Sequence, residues 1–120
     1  MSDAYNITDK EGLYFLTFQI VDGMDIFTRK TYRDIVIESF KYCQKHKGLE
    51  LFAYVIMSNH IHLIARSANG DLSGIIRDFK RNTSRKFLEV VDDNIESRSK
   101  WMKMIFAYHG KYKNKQEYQI

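Results

Sequence analysis

The sequence predicts an α+β fold, a ferredoxin-like, split β-α-β arrangement in which an antiparallel sheet carries its helices on one face. Three observations predict it. Apolar or alternating segments of strand length lie at residues 14–21, 51–57 and 60–66. Segments with helical period follow the first and the third of these, at residues 31–47 and 71–91. Only Ser58-Asn59 separates the second strand from the third, which makes them antiparallel neighbours in a hairpin. Right-handed crossovers then place both main helices on the same side of the sheet.

Each element has its own signals. Residues 1–12 read as a leader ending in a loose turn at Glu11-Gly12. In the first strand Tyr14, Leu16, Phe18 and Ile20 alternate with Phe15, Thr17, Gln19 and Val21. Both sets are largely apolar or β-favouring, so the strand is expected in the interior of the sheet, stopped by Asp22-Gly23. Thr31 and Asp34 resemble a capping box at the start of the first helix. Tyr32, Ile35, Val36, Ser39, Phe40 and Cys43 form its apolar stripe, and Lys45, His46 and Lys47 suit its negative end before Gly48.

A two-residue loop at Ser58-Asn59 sets Met57 opposite His60 and Val55 opposite His62. The other face pairs Ile56 with Ile61 and Tyr54 with Leu63, and should take the helices. Asn69-Gly70 is a turn and Asp71 the N-cap of the second helix. Its stripe is Leu72, Ile75, Ile76, Phe79, Thr83, Phe87 and Val90. Trp101, Met104, Ile105 and Tyr108 suggest an added helix closed by Gly110, and residues 117–120 the start of a further strand.

The chain of 120 residues makes one domain, 1–120, and its 44% hydrophobic content supports one core. A charged fraction of 28% with many aromatics excludes disorder. The net charge of +4 favours an anionic partner, nucleic acid first, though a solvated basic surface explains it as well. One cysteine, Cys43, rules out an internal disulfide and fits a reducing compartment. The polar N-terminus lacks a signal-peptide core, and the apolar run at residues 51–57 is too short to span a bilayer. The expectation is a cytoplasmic protein with no membrane.

The chemistry centres on His60 and His62. On one strand they share a face, with Cβ atoms about 7 Å apart. Two imidazoles so placed can converge on one metal ion or one phosphate, and spacing alone fits two polar surface residues equally. A metal needs a further ligand. Asp22, Asp25 and Glu50 are candidates through the fold, with oxygen donors that suit magnesium or manganese. Zinc is disfavoured, because Cys43 sits on a core stripe and no other histidine or cysteine is well placed.

Arg77, Lys80, Arg81 and Arg85 form a cationic strip along the second helix that can track phosphates, with a solvated helix face as the plainer explanation. Eight tyrosines are present, Tyr108, Tyr112 and Tyr118 among them near the C-terminus. A tyrosine hydroxyl can attack a phosphodiester where a metal polarises the phosphate, but each of these also fits a structural role.

Residues 54–63, Tyr-Val-Ile-Met-Ser-Asn-His-Ile-His-Leu, resemble the IS200-like single-tyrosine transposases, including relatives associated with repetitive extragenic palindromes. That family carries a histidine–hydrophobic–histidine (HUH) motif after an apolar strand and an asparagine. The resemblance runs in element order from Tyr14 to about Val91, and Ser58 departs from the proline that many members have. It implies cutting and rejoining of single-stranded DNA near hairpins, a divalent metal (magnesium or manganese) on His60, His62 and a third side chain, a covalent phosphotyrosine link, and a homodimer. In the family the nucleophile sits on a helix after the last sheet strand, and that helix also supplies the third ligand. Here the chain stops at Ile120, so the expectation is a domain truncated before that helix, with Tyr118 the nearest candidate nucleophile. A competing expectation is a non-catalytic module that holds single-stranded or hairpin nucleic acid. An RNA-recognition domain shares the element order, but residues 60–66 contain no Phe or Tyr for base stacking. A small-molecule hydrolase using the histidines as acid and base ranks last, because only one histidine motif is present.

Overall fold

Strict alternation in one strand organises the molecule. Along His60–Ser67 every second side chain, Ile61, Leu63, Ala65 and Ser67, is buried, and the residues between them are half-buried. The pleat sends the two sets to opposite faces, so this strand divides a core side from an outer side. The computed structural model describes Asp9 and residues 11–92. Within them the order is β1 (Tyr14–Gln19), α1 (Lys30–His46), β2 (Leu49–Ile56), β3 (His60–Ser67) and α2 (Leu72–Asp92). The strands form one antiparallel sheet in the order β1-β3-β2. This is the expected α+β arrangement, with both helices against one face.

The hairpin register is the expected one. Val55 lies opposite His62, Ile56 opposite Ile61 and Tyr54 opposite Leu63. The Met57 amide donates to the His60 carbonyl at 2.8 Å, which closes the two-residue loop. Leu16 and Phe18 of β1 join Ile61, Leu63 and Ala65 as the sheet's contribution to the core. Phe40 of α1 and Phe79 of α2 stack at 5.0 Å between ring centroids, and Phe79 meets Phe18 at 5.4 Å. Burying a side chain of this size is worth about 1.5–3 kcal/mol, so these rings fix how the helices sit on the sheet.

The helix ends show which local signals operate. Asp71 caps α2 through Oδ1, which accepts from the Gly74 amide at 3.2 Å. A β-carbon at Gly74 would collide with that carboxylate, so the cap and the glycine require each other. Gly48 ends α1 with φ +77, a left-handed angle that suits glycine.

Several expectations are corrected. The capping box at Thr31 and Asp34 does not form. Helix α1 starts one residue earlier without a side-chain cap, and Asp34 instead pairs with Lys30 at 2.8 Å. The first strand stops at Gln19. Val21–Gly23 turns as a 3-10 segment in which Asp22 takes φ 54, so Ile20 and Val21 reach the core from a bend. Among the described residues β1 pairs with β3 on one side, and its Phe15 and Gln19 are exposed; its other edge is where a further strand at 117–120 would pair, which leaves the expected interior position untested. The second strand begins at Leu49 and is irregular. Leu51 faces Ala65 and Ala53 faces Ile64, which leaves Phe52 as a bulge residue. The added helix expected around residues 101–110 and the strand at 117–120 lie outside the described residues.

The two faces of the sheet carry different stability loads. Leu63→Ala empties core volume and should cost about 2–5 kcal/mol. Val55→Ala, on the exposed side of the neighbouring strand, should change stability by less than about 0.5 kcal/mol. Urea unfolding followed by circular dichroism measures both.

Candidate functional site: a paired-histidine face

His60 and His62 project from the middle strand of the described sheet, on the face away from the helices. Both are half-buried. Their ring centroids lie 4.7 Å apart with planes at 82°, an edge-to-face pair. Across the register Gln19 of β1 stands opposite His60, and Thr17 opposite His62.

Each imidazole is held by one nitrogen. The His60 Nδ1 lies 2.8 Å from Asn59 Oδ1. The same Asn59 side chain donates its Nδ2 to the Gly23 carbonyl at 3.3 Å, which orients the amide. An amide oxygen only accepts, so the proton of neutral His60 belongs on Nδ1 and its lone pair on Nε2. The His62 Nδ1 lies 3.0 Å from Thr17 Oγ1, and its ring packs on Phe15 at 5.4 Å between centroids. The hydroxyl can accept from that nitrogen as well, leaving Nε2 of His62 with the lone pair in the same way. Fixing one nitrogen by an outer hydrogen bond is how metal-binding histidines are oriented. Asn59 and Thr17 orient the two rings here; the sequence reading placed Asn59 in the turn and the motif and Thr17 on β1, without giving either this task. The signal for Thr17 was its place on the outward set of β1, and for Asn59 its position beside His60 in the loop.

The expected third ligand is not supplied by the described residues. No group of three or more His, Cys, Asp or Glu side chains suited to a metal occurs among them. Glu50 is drawn instead to Arg66 at 2.8 Å. Cys43 is buried on α1, and burial pushes its thiol up despite the nearby Lys47 charge, so it stays protonated.

The cationic strip is also rearranged. Lys80 is only 3% exposed, with its Nζ 5.6 Å from the centre of the Phe18 ring, so it belongs to the packed side of α2. Arg77, Arg81 and Arg85 remain exposed. They recur at four-residue intervals on the side of α2 away from the core stripe, so the sheet lies between them and the histidines. Arg85 borders a groove of about 660 Å³ between α1 and α2, whose walls carry Lys41, Lys45, Lys47, Arg85 and Lys86 against Glu38 and Asp78. Burial works against charge on Asp78, but hydrogen bonds from Lys47 and Arg77 outweigh it and hold the carboxyl below the usual range. Tyr118, the expected nucleophile, lies outside the described residues.

The amide geometry gives a direct test. At a pH where the ring is neutral, His60 should be the Nδ1–H tautomer, read from long-range proton–nitrogen correlations of the imidazole. Asn59→Leu should release it toward the mixture of tautomers seen in free imidazole side chains. An Nε2–H ring in the unaltered protein would contradict the assignment.

Comparison with known proteins adds what the geometry alone does not. The model of the family described as "Transposase IS200 like" matches residues 16–116. No curated protein and no solved structure gives a significant match. The family match takes in the paired-histidine strand, both helices and a stretch of chain beyond them, ending before Tyr118. Among the described residues no helix is long and apolar enough to cross a membrane. The matched span covers most of the sequence, and the chain belongs to the IS200-like transposase family.

Proposed function

We propose that this chain is a metal-dependent nicking and joining domain for single-stranded DNA that carries hairpins, working in the cytoplasm as a homodimer. The observation that carries the reading is the paired-histidine face. Two imidazoles 4.7 Å apart between centroids are each tied at Nδ1, which leaves Nε2 of each ring available to a ligand on the face away from the helices. Their nitrogen donors, with an oxygen donor from a third side chain, fit magnesium or manganese. When bound, the ion polarises the phosphodiester and stabilises the charge that develops on it.

For the nucleophile the reading favours Tyr112. It lies inside the family match, and Gln116 follows at a four-residue interval, at the last matched position. In a helix that spacing brings two side chains onto one face. On such a helix the pair would supply a hydroxyl and an amide oxygen together, as the family resemblance requires. Tyr118 falls beyond the match. Attack by the tyrosine oxygen forms one P–O bond as the bond to the leaving sugar oxygen breaks, and that oxygen gains a proton. The phosphodiester is conserved as a phosphotyrosine ester, so rejoining needs no outside energy source.

Arg77, Arg81 and Arg85, with the lysines of the groove, are assigned to the DNA backbone. Lys80 is assigned to packing first. A second reading is a binding module without cleavage, in which His60 and His62 serve as polar surface residues.

The experiment is a denaturing-gel assay for a covalent adduct with a hairpin-bearing single strand in manganese. The adduct should form, and should vanish in chelator and in His60→Ala, His62→Ala and Tyr112→Phe, while Tyr118→Phe keeps it. Loss in Tyr118→Phe with retention in Tyr112→Phe would reassign the nucleophile. Binding without any adduct would leave the second reading. Separately, Asn59→Leu should weaken manganese binding by about 10- to 100-fold, measured by calorimetry, because it removes the partner that orients His60.

A further inference from the structure

Phe15 is 63% exposed on the outer face of the sheet. A phenylalanine left in water forgoes the stabilisation that burial brings, so a ligand that covers it gains that stabilisation. One side of its ring rests on His62, with centroids 5.4 Å apart and planes inclined at 31°. Across the register it stands beside Ile64, one step along β1 from Thr17, the residue that holds His62.

We infer that Phe15 is a base-stacking platform, which holds a nucleobase of single-stranded DNA next to the phosphate that sits at His60 and His62. This rests on the reading of the histidine face as the phosphate site. The distances fit. A ring 5.4 Å between centroids from the His62 imidazole is close enough to take a base of a nucleotide whose phosphate sits at the histidines. Flat aromatic faces accept any base, which suits single strands whose bases are unstacked.

The polar surroundings of the ring fit a nucleotide. Val55 and Met57, two of the exposed apolar residues of the hairpin, lie on the β2 side of the histidines. Phe15 lies on the β1 side. The two imidazoles run between them, with Thr17 and Gln19 continuing the polar surface along β1. An aromatic ring beside a polar phosphate site fits a nucleotide, which has a flat apolar face and an anionic edge.

The test compares Phe15→Ala, Phe15→Leu and Phe15→Trp in the full chain, with a fluorescein-labelled hairpin oligonucleotide bearing a single-stranded flank as the probe. Fluorescence anisotropy should show Phe15→Ala weakening binding by about 5- to 150-fold. Phe15→Leu should bind nearly as poorly, and Phe15→Trp at least as well as the parent. The slope of affinity against salt should stay unchanged, since no phosphate contact is lost. A 5-iododeoxyuridine placed in turn at each flank position should cross-link to Phe15 from one or two adjacent positions only. Full affinity in Phe15→Leu would overturn the stacking role, because leucine covers an apolar site but offers no π-face. A change of oligomeric state in Phe15→Ala by sedimentation would likewise overturn it, assigning the ring to a second copy of the chain. If the parent chain fails to bind the oligonucleotide, the proposed function falls with it. If the parent binds and the histidine variants lose the adduct while Phe15→Leu binds normally, only this inference falls.

Discussion

The register between β2 and β3 is the constraint on which the rest depends. It is set by a two-residue loop and by the Met57 amide donating to the His60 carbonyl. A slip of one residue would turn Ile61 and Leu63 out to water and drive both histidines into the core. The cost of exposing two large apolar side chains, about 1.5–3 kcal/mol each, enforces the register far more strongly than any preference of the histidines. The site is thus placed by residues that take no part in its chemistry. The core positions the imidazoles by occupying the alternate places on the same strand.

A second layer of control acts on the rings themselves. Side chains on a strand point to a face, but their torsions leave the ring nitrogens undirected. Asn59 and Thr17 supply the missing direction from opposite sides, one from the hairpin loop and one from the neighbouring strand. Asn59 is in turn held by the Gly23 carbonyl, in the bend where Asp22 and Gly23 take left-handed angles. The irregular end of β1 therefore supports the amide that sets the tautomer of His60. Organising donors before a ligand arrives avoids an entropy cost at binding, which is why such outer partners matter beyond their single hydrogen bonds.

Much of this was legible in the sequence, for identifiable physical reasons. The hairpin register followed from period-two alternation on both sides of Ser58-Asn59, where a long apolar strand leaves one solution. The N-cap at Asp71 and the stop at Gly48 were local and were found as read. Readings that depended on competition between partners failed. Thr31 and Asp34 had the spacing of a capping box, but Lys30 offered Asp34 a full charge one turn away. Lys80 looked like part of a solvent-facing strip because periodicity marks a helix face only to within a residue. On the actual helix its stem lies along the core margin, with the ammonium near the Phe18 ring. The hydrogen bonds of Thr17 and Asn59 to the rings were not legible, although both residues had a place in the sequence reading, since nothing in a single strand tells which neighbour its side chain will meet.

The placement of charge bears on how DNA would be held. Arg77, Arg81 and Arg85 lie on the far side of the helical layer from the histidines, with the sheet and core between them. A single short contact cannot engage both surfaces. The two must act on different parts of one nucleic acid, or on one part after it has bent round an edge of the sheet. A hairpin with a single-stranded flank has two such parts, a stem whose phosphates suit a cationic helix and a flank whose bases suit an open sheet face. Division of this kind separates affinity from chemistry. The helical surface can strengthen binding through charge without adding field at the histidines, where excess positive charge would compete with a metal ion for the same phosphate. On the proposed reading the flank would then be located by something other than charge, and the exposed ring of Phe15 against His62 is an apolar surface in that place.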